Sequence, residues 1–316
     1  MLRLVYLGTP AFAVPTLERI VEAGHRVLEV VTQPDRPRGR GRDLAASPVK
    51  EAAMRLGLPV YQPERVRRPE AVEHLRALGA DGMVIVGYGQ IIPQTIIDLA
   101  PMGIINVHAS LLPKYRGAGP IQWAIINGET RTGVTTMRID AGLDTGDMLL
   151  KAETEIGPDE TAIELGRRLA SMGADLLVQT LSRLDSILPE KQDPAQATYA
   201  PILKKEDGLI DWTQPAQPIH NRVRGLQPWP GAYTTLRGQT LNIWKSGAKS
   251  GAGLPACAQA TTPGAIHSIK PLLIACGSGL LELQEVQIEG RKRISAADFA
   301  NGQRLAENET LGEPRP

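Results

Sequence analysis

Apolar positions in the first half of the chain alternate between two textures. Residues 2–7 form a near-continuous apolar run that Gly8-Thr9-Pro10 ends, as expected of a strand covered on both faces. Residues 12–23 then repeat apolar side chains at helical spacing, with Gly24 placed to cap the helix. The textures recur. Strands are predicted over 27–32, 60–61, 82–86 and 103–107, and helices over 47–56, with Pro48 at the first helical position, over 69–78 and over 93–99. A further strand is predicted over 132–139 and a long helix over 161–188. Residues 189–201 hold three prolines and no periodicity, which reads as a linker. Beyond it, short β-like runs at 234–236, 239–244, 272–275 and 280–286 are separated by Gly, Pro and Ser, and residues 247–264 read as a loose loop.

Strands alternating with helices predict an α/β domain with a parallel, Rossmann-like sheet. The distal texture predicts a small OB-like β-barrel. The expected boundaries are residues 1–189 for the first domain, 190–203 for the linker and 204–316 for the second domain. Parallel sheets bind ligands beyond the carboxyl ends of their strands. Gly8, the Gly87-Tyr88-Gly89 loop and His108 stand at such ends. The first loop is not GxGxxG, and Pro10 would obstruct a pyrophosphate; no GxxxxGK[ST] occurs either. Dinucleotide and P-loop sites are therefore excluded.

Composition adds limits. The 316 residues suit two domains, and 35 basic against 34 acidic side chains leave a net charge of +1. No global field selects a polyanion, so a nucleic-acid site has to be a local patch. Cys257 and Cys276 form no CxxC pair and read as reduced thiols. The opening MLRLVYLGTP is too short for a signal or a membrane span. A cytoplasmic location without a membrane partner is expected.

The chemistry gathers around NVHASLLPKYRGAGP, residues 106–120. Residues two apart on a strand point to one side, so Asn106 and His108 can converge. An uncharged amide donor and an imidazole suit a carbonyl oxygen that becomes an oxyanion. A nearby carboxylate such as Asp144 would favour the charged ring and fix its orientation. This set fits acyl or formyl transfer to an amine, with no Ser or Cys nucleophile. By itself an NxH pair is common, and a His at a strand end is more often a structural hydrogen-bonding group than a catalyst. Asp140, Asp144 and Asp147 could form Asx-turns or hold a metal; no second His accompanies them, and no metal is expected. Leu111, Leu112 and Pro113 offer a stiff apolar wall for a flat heteroaromatic ligand, or simply a buried turn.

NVHASLLPKYRGAGPIQWAI followed by GVTTMRIDAGLDTGDML resembles the folate-dependent formyltransferases, in order and over long motifs. Ala109 stands where many relatives have Gly. The resemblance implies 10-formyl-tetrahydrofolate as donor and Asn106, His108 and Asp144 as the catalytic set. It places Ser110, Leu111, Leu112 and Pro113 against the folate, with Tyr88, Gly89, Gln90 and Ile91 lining the pteridine pocket. A free protein is expected to hold Asp144 and His108 somewhat apart, closing only with both substrates.

Two stretches select a branch of the family. TQPDRPRGRGRDLAASPVK, residues 32–50, alternates Arg36, Arg38, Arg40 and Arg42 with Pro and Gly. It is similar to the insertion with which the branch acting on initiator methionyl-tRNA touches its substrate, Arg40 aligning with the main acceptor-stem contact. The stretch KKEDGLIDWTQPAQPIHNRVRGLQPWPGAYTTLRGQTLNIWKS resembles that branch's C-terminal barrel. Its Lys204, Lys205, Arg222, Arg224, Arg237, Lys245 and the 291–293 basic run would form a backbone-tracking face. Trp212, Trp229 and Trp244 are expected in packing. The branch implies a monomer that formylates the methionyl amine in translation initiation. Rivals are a formyltransferase acting on a sugar-nucleotide amine or glycinamide ribonucleotide, a formyl-tetrahydrofolate hydrolase, and an RNA-binding protein with a decayed catalytic half.

Overall fold

The computed structural model describes residues 1–38, 43–249 and 262–312. Arg40, Arg42 and Cys257 lie outside these residues, as does most of the 247–264 loop.

In chain order the elements begin with β1 (Arg3–Gly8), α1 (Val14–Glu22), β2 (Arg26–Val31), β3 (Arg36–Arg38), β4 (Asp43–Ala45), α2 (Pro48–Arg55) and β5 (Val60–Tyr61). Next come α3 (Pro69–Ala77), β6 (Gly82–Val86), α4 (Gln94–Ile97), β7 (Ile104–His108), β8 (Arg116–Gly117) and α5 (Pro120–Ile126). There follow β9 (Arg131–Arg138), β10 (Met148–Glu155), α6 (Ala162–Arg183), β11 (Tyr199–Ala200), α7 (Ala216–Gly225) and β12 (Ala232–Leu236). The chain closes with β13 (Gln239–Lys249), β14 (Ile266–Ile269), β15 (Leu272–Ala275), β16 (Leu280–Ile288), β17 (Ile294–Ser295) and α8 (Ala296–Gln303). The predicted helices and strands of the first half recur within a few residues. The start of α2 follows its sequence signal: Pro48 occupies the first turn, and the Ser47 hydroxyl accepts from the Lys50 N–H at 3.1 Å.

The chain divides into two compact units, one of residues 1–120, 131–155 and 166–201, the other of residues 121–130, 156–165 and 202–316. The first is built on a seven-stranded sheet in the order β10-β9-β7-β6-β1-β2-β5. β7, β6, β1, β2 and β5 run parallel; β9 pairs antiparallel with β7, and β10 antiparallel with β9. Strand order reverses between β1 and β6, the topological switch point at which such sheets form a crevice. Thr9 Oγ1 donates to the Tyr88 carbonyl at 3.0 Å, tying the two loops at that point. Ile105 and Val107 of β7 enter the core under α1, α2 and α6, whereas Ile104 enters the core of the opposite face. The period of two thus puts Asn106 and His108 on the Ile104 side.

Residues 190–201 are more than a connection. Met148 and Glu190 exchange backbone hydrogen bonds of 2.8 Å, and β11 pairs in parallel with β8. The segment lacks periodicity because it is held by hydrogen bonds and a two-residue strand, not by an apolar face.

The second unit carries an antiparallel sheet in the order β12-β13-β16-β15-β14, with β17 on β16. Residues 308–312 bridge its two edges. The Asn308 N–H donates to Ile266 O and the Gly312 N–H to Thr235 O, each at 2.9 Å, so the sheet bends towards closure. Its core includes Trp212, Ile219, Val223, Leu241, Ile274 and Phe299. α7 and α8 were not foreseen in the barrel pattern. Trp229 is half exposed, a departure from the expected packing role, while Trp212 is buried. Among the described residues no helix is long and apolar enough to cross a membrane.

Candidate active site

β7 ends at His108, and the turn after it folds back so that the Tyr115 carbonyl meets the ring. His108 Nε2 lies 2.9 Å from Tyr115 O. A carbonyl only accepts, so Nε2 carries the proton and Nδ1 is the uncommitted nitrogen. Nδ1 faces Asp144 Oδ2 at 3.8 Å, too long for a hydrogen bond. Asp144 Oδ2 instead accepts from the Gly117 N–H at 2.8 Å. Both ends of this constellation use left-handed backbone, with φ +61° at Tyr115 and +52° at Asp144. Such conformations at non-glycine residues need surrounding structure to hold them.

Asn106 is buried, and no described group hydrogen-bonds its side-chain amide. Its neighbours in the sheet are Ile85 on β6 and Met137 on β9. The described buried side-chain polar atoms without a partner belong to Thr16, Tyr88 and Thr132, so the Asn106 amide keeps contact with solvent and is open to a ligand.

The turn after His108 is built from inside. Thr135, which pairs with His108 across the sheet, donates from Oγ1 to Ser110 O at 2.7 Å and accepts from the Leu112 N–H at 3.2 Å. Ser110 Oγ donates to Lys114 O at 2.6 Å. Leu112 packs with Met137 and Met148. The Tyr115 N–H donates to Thr198 Oγ1 at 2.8 Å. Ser110 and Leu112 therefore spend their side chains on the protein, while Leu111 and Pro113 keep partial exposure.

The loop after β6 is similar in kind. Tyr88 is buried in the core with Val5, Leu7 and Ile96, and its hydroxyl has no protein partner. Burial pushes its phenol well above the ordinary range. Its carbonyl accepts from Thr9 and from Gln33 Nε2, the latter at 3.1 Å. Gln90 Oε1 accepts from the Val66 N–H at 2.8 Å. Gly89 and Ile91 are exposed. The Tyr88 side chain thus lines the core, and only its backbone faces the loop.

Asp140 forms an Asx-turn: its Oδ1 accepts from the Gly142 N–H at 3.0 Å and from Thr145 Oγ1 at 2.7 Å. Among the described residues no three His, Cys, Asp or Glu side chains gather as a metal site. Gln192, Arg116, Gly117 and Thr135 carry structure here that the sequence pattern did not single out. Gln192 falls in the stretch whose composition predicts a linker.

The basic residues divide. Arg36, Lys204 and Lys205 are exposed. Arg224 is not part of a surface face, which corrects the sequence reading: it is buried and donates to Asn221 Oδ1 and to the Gly157 and Glu160 carbonyls. Burial lowers its pKa from the usual guanidinium value. Arg222 donates to Asp207 O, Arg237 pairs with Glu309 at 2.5 Å, and Arg293 pairs with Glu285 and stands 5.2 Å over the Trp244 ring.

Comparison with known proteins agrees with this architecture. Residues 2–181 match the formyl transferase family model, and residues 202–304 match that of the formyl transferase C-terminal domain. The methionyl-tRNA formyltransferase of Solibacter usitatus is 74% identical over 99% of both chains. That of Geobacter metallireducens is 52% identical over 98% of this chain and 99% of its own. Among solved structures, the N-formyltransferase of Helicobacter canadensis, in complex with folinic acid and dTDP-3-aminofucose, has a TM-score of 0.65 at 19% identity, over 90% of this chain and 99% of that one. HypX of Aquifex aeolicus in complex with tetrahydrofolic acid gives 0.61 at 14% identity, over 95% of this chain and 47% of that one. These two show the fold alone. With both family models matched in order and full-length relatives at such identity, the chain belongs to the formyl transferase family.

Proposed function

We propose that this chain transfers the formyl group of 10-formyl-tetrahydrofolate to the α-amine of methionine on initiator tRNA, in translation initiation. One observation carries the chemistry: an unpartnered buried amide and an uncommitted ring nitrogen facing a carboxylate stand at the carboxyl end of β7. Neutral and imidazole donors suit a carbonyl oxygen that gains charge as an amine adds. The names of the full-length relatives support the choice of acceptor.

The folate supplies an activated formyl carbon whose leaving group is its own nitrogen. On this reading the Asn106 amide and a charged His108, carrying a second proton on Nδ1, donate to the formyl oxygen as the amine nitrogen adds to the carbon. Asp144 takes the proton that the amine gives up, directly or through water. The bond from carbon to the folate nitrogen then breaks, and that nitrogen accepts a proton. Leu111, Pro113, Gly89, Gln90 and Ile91 contact the folate by side chain or surface, and Tyr88, Ser110 and Leu112 by backbone. Arg36, Arg38, Arg40 and Arg42, with Lys204 and Lys205, meet tRNA phosphates and acceptor-stem edges. The enzyme acts in the cytoplasm as a monomer.

The test is transfer of radiolabelled formyl from the folate, offered charged initiator tRNA, an amino-sugar nucleotide or water alone. Label on the tRNA is expected; label appearing instead as formate or on the sugar overturns the assignment. Asp144→Asn is expected to slow turnover by about 10²–10³-fold with the fold intact. Wild-type rates in that variant remove Asp144 from the mechanism.

A further inference from the structure

We propose that Gln192 is a positioning residue for the transfer reaction, holding the Asp144 carboxylate at the angle from which it serves the amine. The proposal rests on the role given to Asp144 above.

Gln192 is buried and its side chain is fully used. Its Oε1 accepts from Arg116 Nε at 2.9 Å and from an Arg116 terminal nitrogen at 2.7 Å. Its Nε2 donates to the carbonyls of Asp144 and Gly146, each at 2.8 Å. An amide has two donors and two lone pairs, and here each has a partner. Three features of the loop converge on this one side chain.

The first is where the donors go. They hold the 144–145 and 146–147 peptide planes, the first of which adjoins Asp144, whose φ of +52° an unrestrained chain would leave readily. The second is where the acceptor goes. Arg116 precedes Gly117, whose N–H holds Asp144 Oδ2. Gln192 therefore grips both the backbone that carries the carboxylate and the residue beside the N–H that aims it. The third is charge. Arg116 is buried, and no described carboxylate lies within ion-pairing distance of it. A carboxylate at position 192 would neutralise that cation. A neutral amide there gives up the ion pair and gains the two donors that the Asp144 loop uses, a choice that stability alone does not explain.

That choice supplies the test. Gln192→Glu keeps the size and pairs with Arg116, but turns a carboxylate oxygen towards the Asp144 and Gly146 carbonyls. Gln192→Ala removes both halves. Turnover of charged initiator tRNA and the KM for each substrate are measured on purified variants, alone and combined with Asp144→Asn, with melting temperature as the control on folding. Both single variants are expected to lower kcat by about ten-fold or more, in line with the cost of misplacing a reacting group, with KM values within roughly two-fold of wild type. Gln192→Glu is expected to melt no lower than Gln192→Ala. In the Asp144→Asn background Gln192→Ala is expected to cost less than about two-fold, because a residue that acts through another loses its effect when that other is gone. The same fold-loss in both backgrounds overturns the proposal. So does normal kcat in either stably folded single variant. If Asp144→Asn itself turns over like wild type, the role of Asp144 fails first, and this proposal with it.

Discussion

Asn106 presents an amide that no described group hydrogen-bonds. Exchanging such an amide for an apolar group of similar shape is nearly neutral for stability, because no protein group loses a partner. Asn106→Leu is therefore expected to melt close to the wild-type temperature, while formyl transfer falls by about 10²–10³-fold, as for loss of an oxyanion donor. A clear drop in melting temperature would mean that the amide is a structural hydrogen-bonding group, and would return the NxH pattern to its bland reading. Asn106 and His108 were legible in sequence because a period of two needs only a strand assignment. The uncommitted nitrogen of His108 was not. It depends on the Tyr115 carbonyl seven residues on, in a left-handed turn that no spacing rule indicates. The orientation of Tyr88 was not legible either: its loop position says nothing of the ring, which is buried in the core cluster that holds Val5 and Leu7.

At the level of elements, the alternating first half was readable because each strand and helix carries its own apolar face. β11 and β8 have none. They form because backbone groups of 116–118 and 198–200 satisfy one another, including the Ala118 N–H to Ala200 O at 2.9 Å. Non-local pairing of that kind leaves no periodic trace, so residues 190–201 read as linker from composition alone. Gly117 is where the pairing constrains a residue type. Its φ is +114°, and a Cβ there would lie 2.7 Å from Ala200 O. Gly117→Ala is expected to cost about 1–3 kcal/mol, read as a melting transition a few degrees lower. Turnover should fall beyond what that loss explains, because the strained residue carries the N–H that holds Asp144. Unchanged melting would show that 116–118 and 199–200 do not pair as described.

For the molecule as a whole, the near-zero net charge decides how a polyanion is recognised. At +1 no overall field draws tRNA in, so binding strength has to come from a few fixed contacts, and the salt dependence counts them. The distal unit contributes fewer free cations than its sequence suggested. Arg224 is buried on carbonyls, while Arg237 and Arg293 are paired with Glu309 and Glu285. Lys204, Lys205, Lys245, Arg291 and Lys292 remain exposed there, as does Arg36 in the first unit. The alternating arginines of residues 36–42 therefore carry a larger share of the proposed contact, and Arg40 is the one that the family resemblance ranks first. If Arg40 meets a phosphate, Arg40→Ala should weaken tRNA binding at every salt concentration. It should also reduce the log–log salt slope by about 0.7–0.9, the value of one released counterion. KM for the folate should not move, since its proposed contacts lie in the loops after β6 and β7. A parallel loss of folate and tRNA affinity would identify Arg40 as part of the folding of the first unit instead. A weaker complex with an unchanged slope would place it on a base edge, where it reads sequence without displacing a counterion.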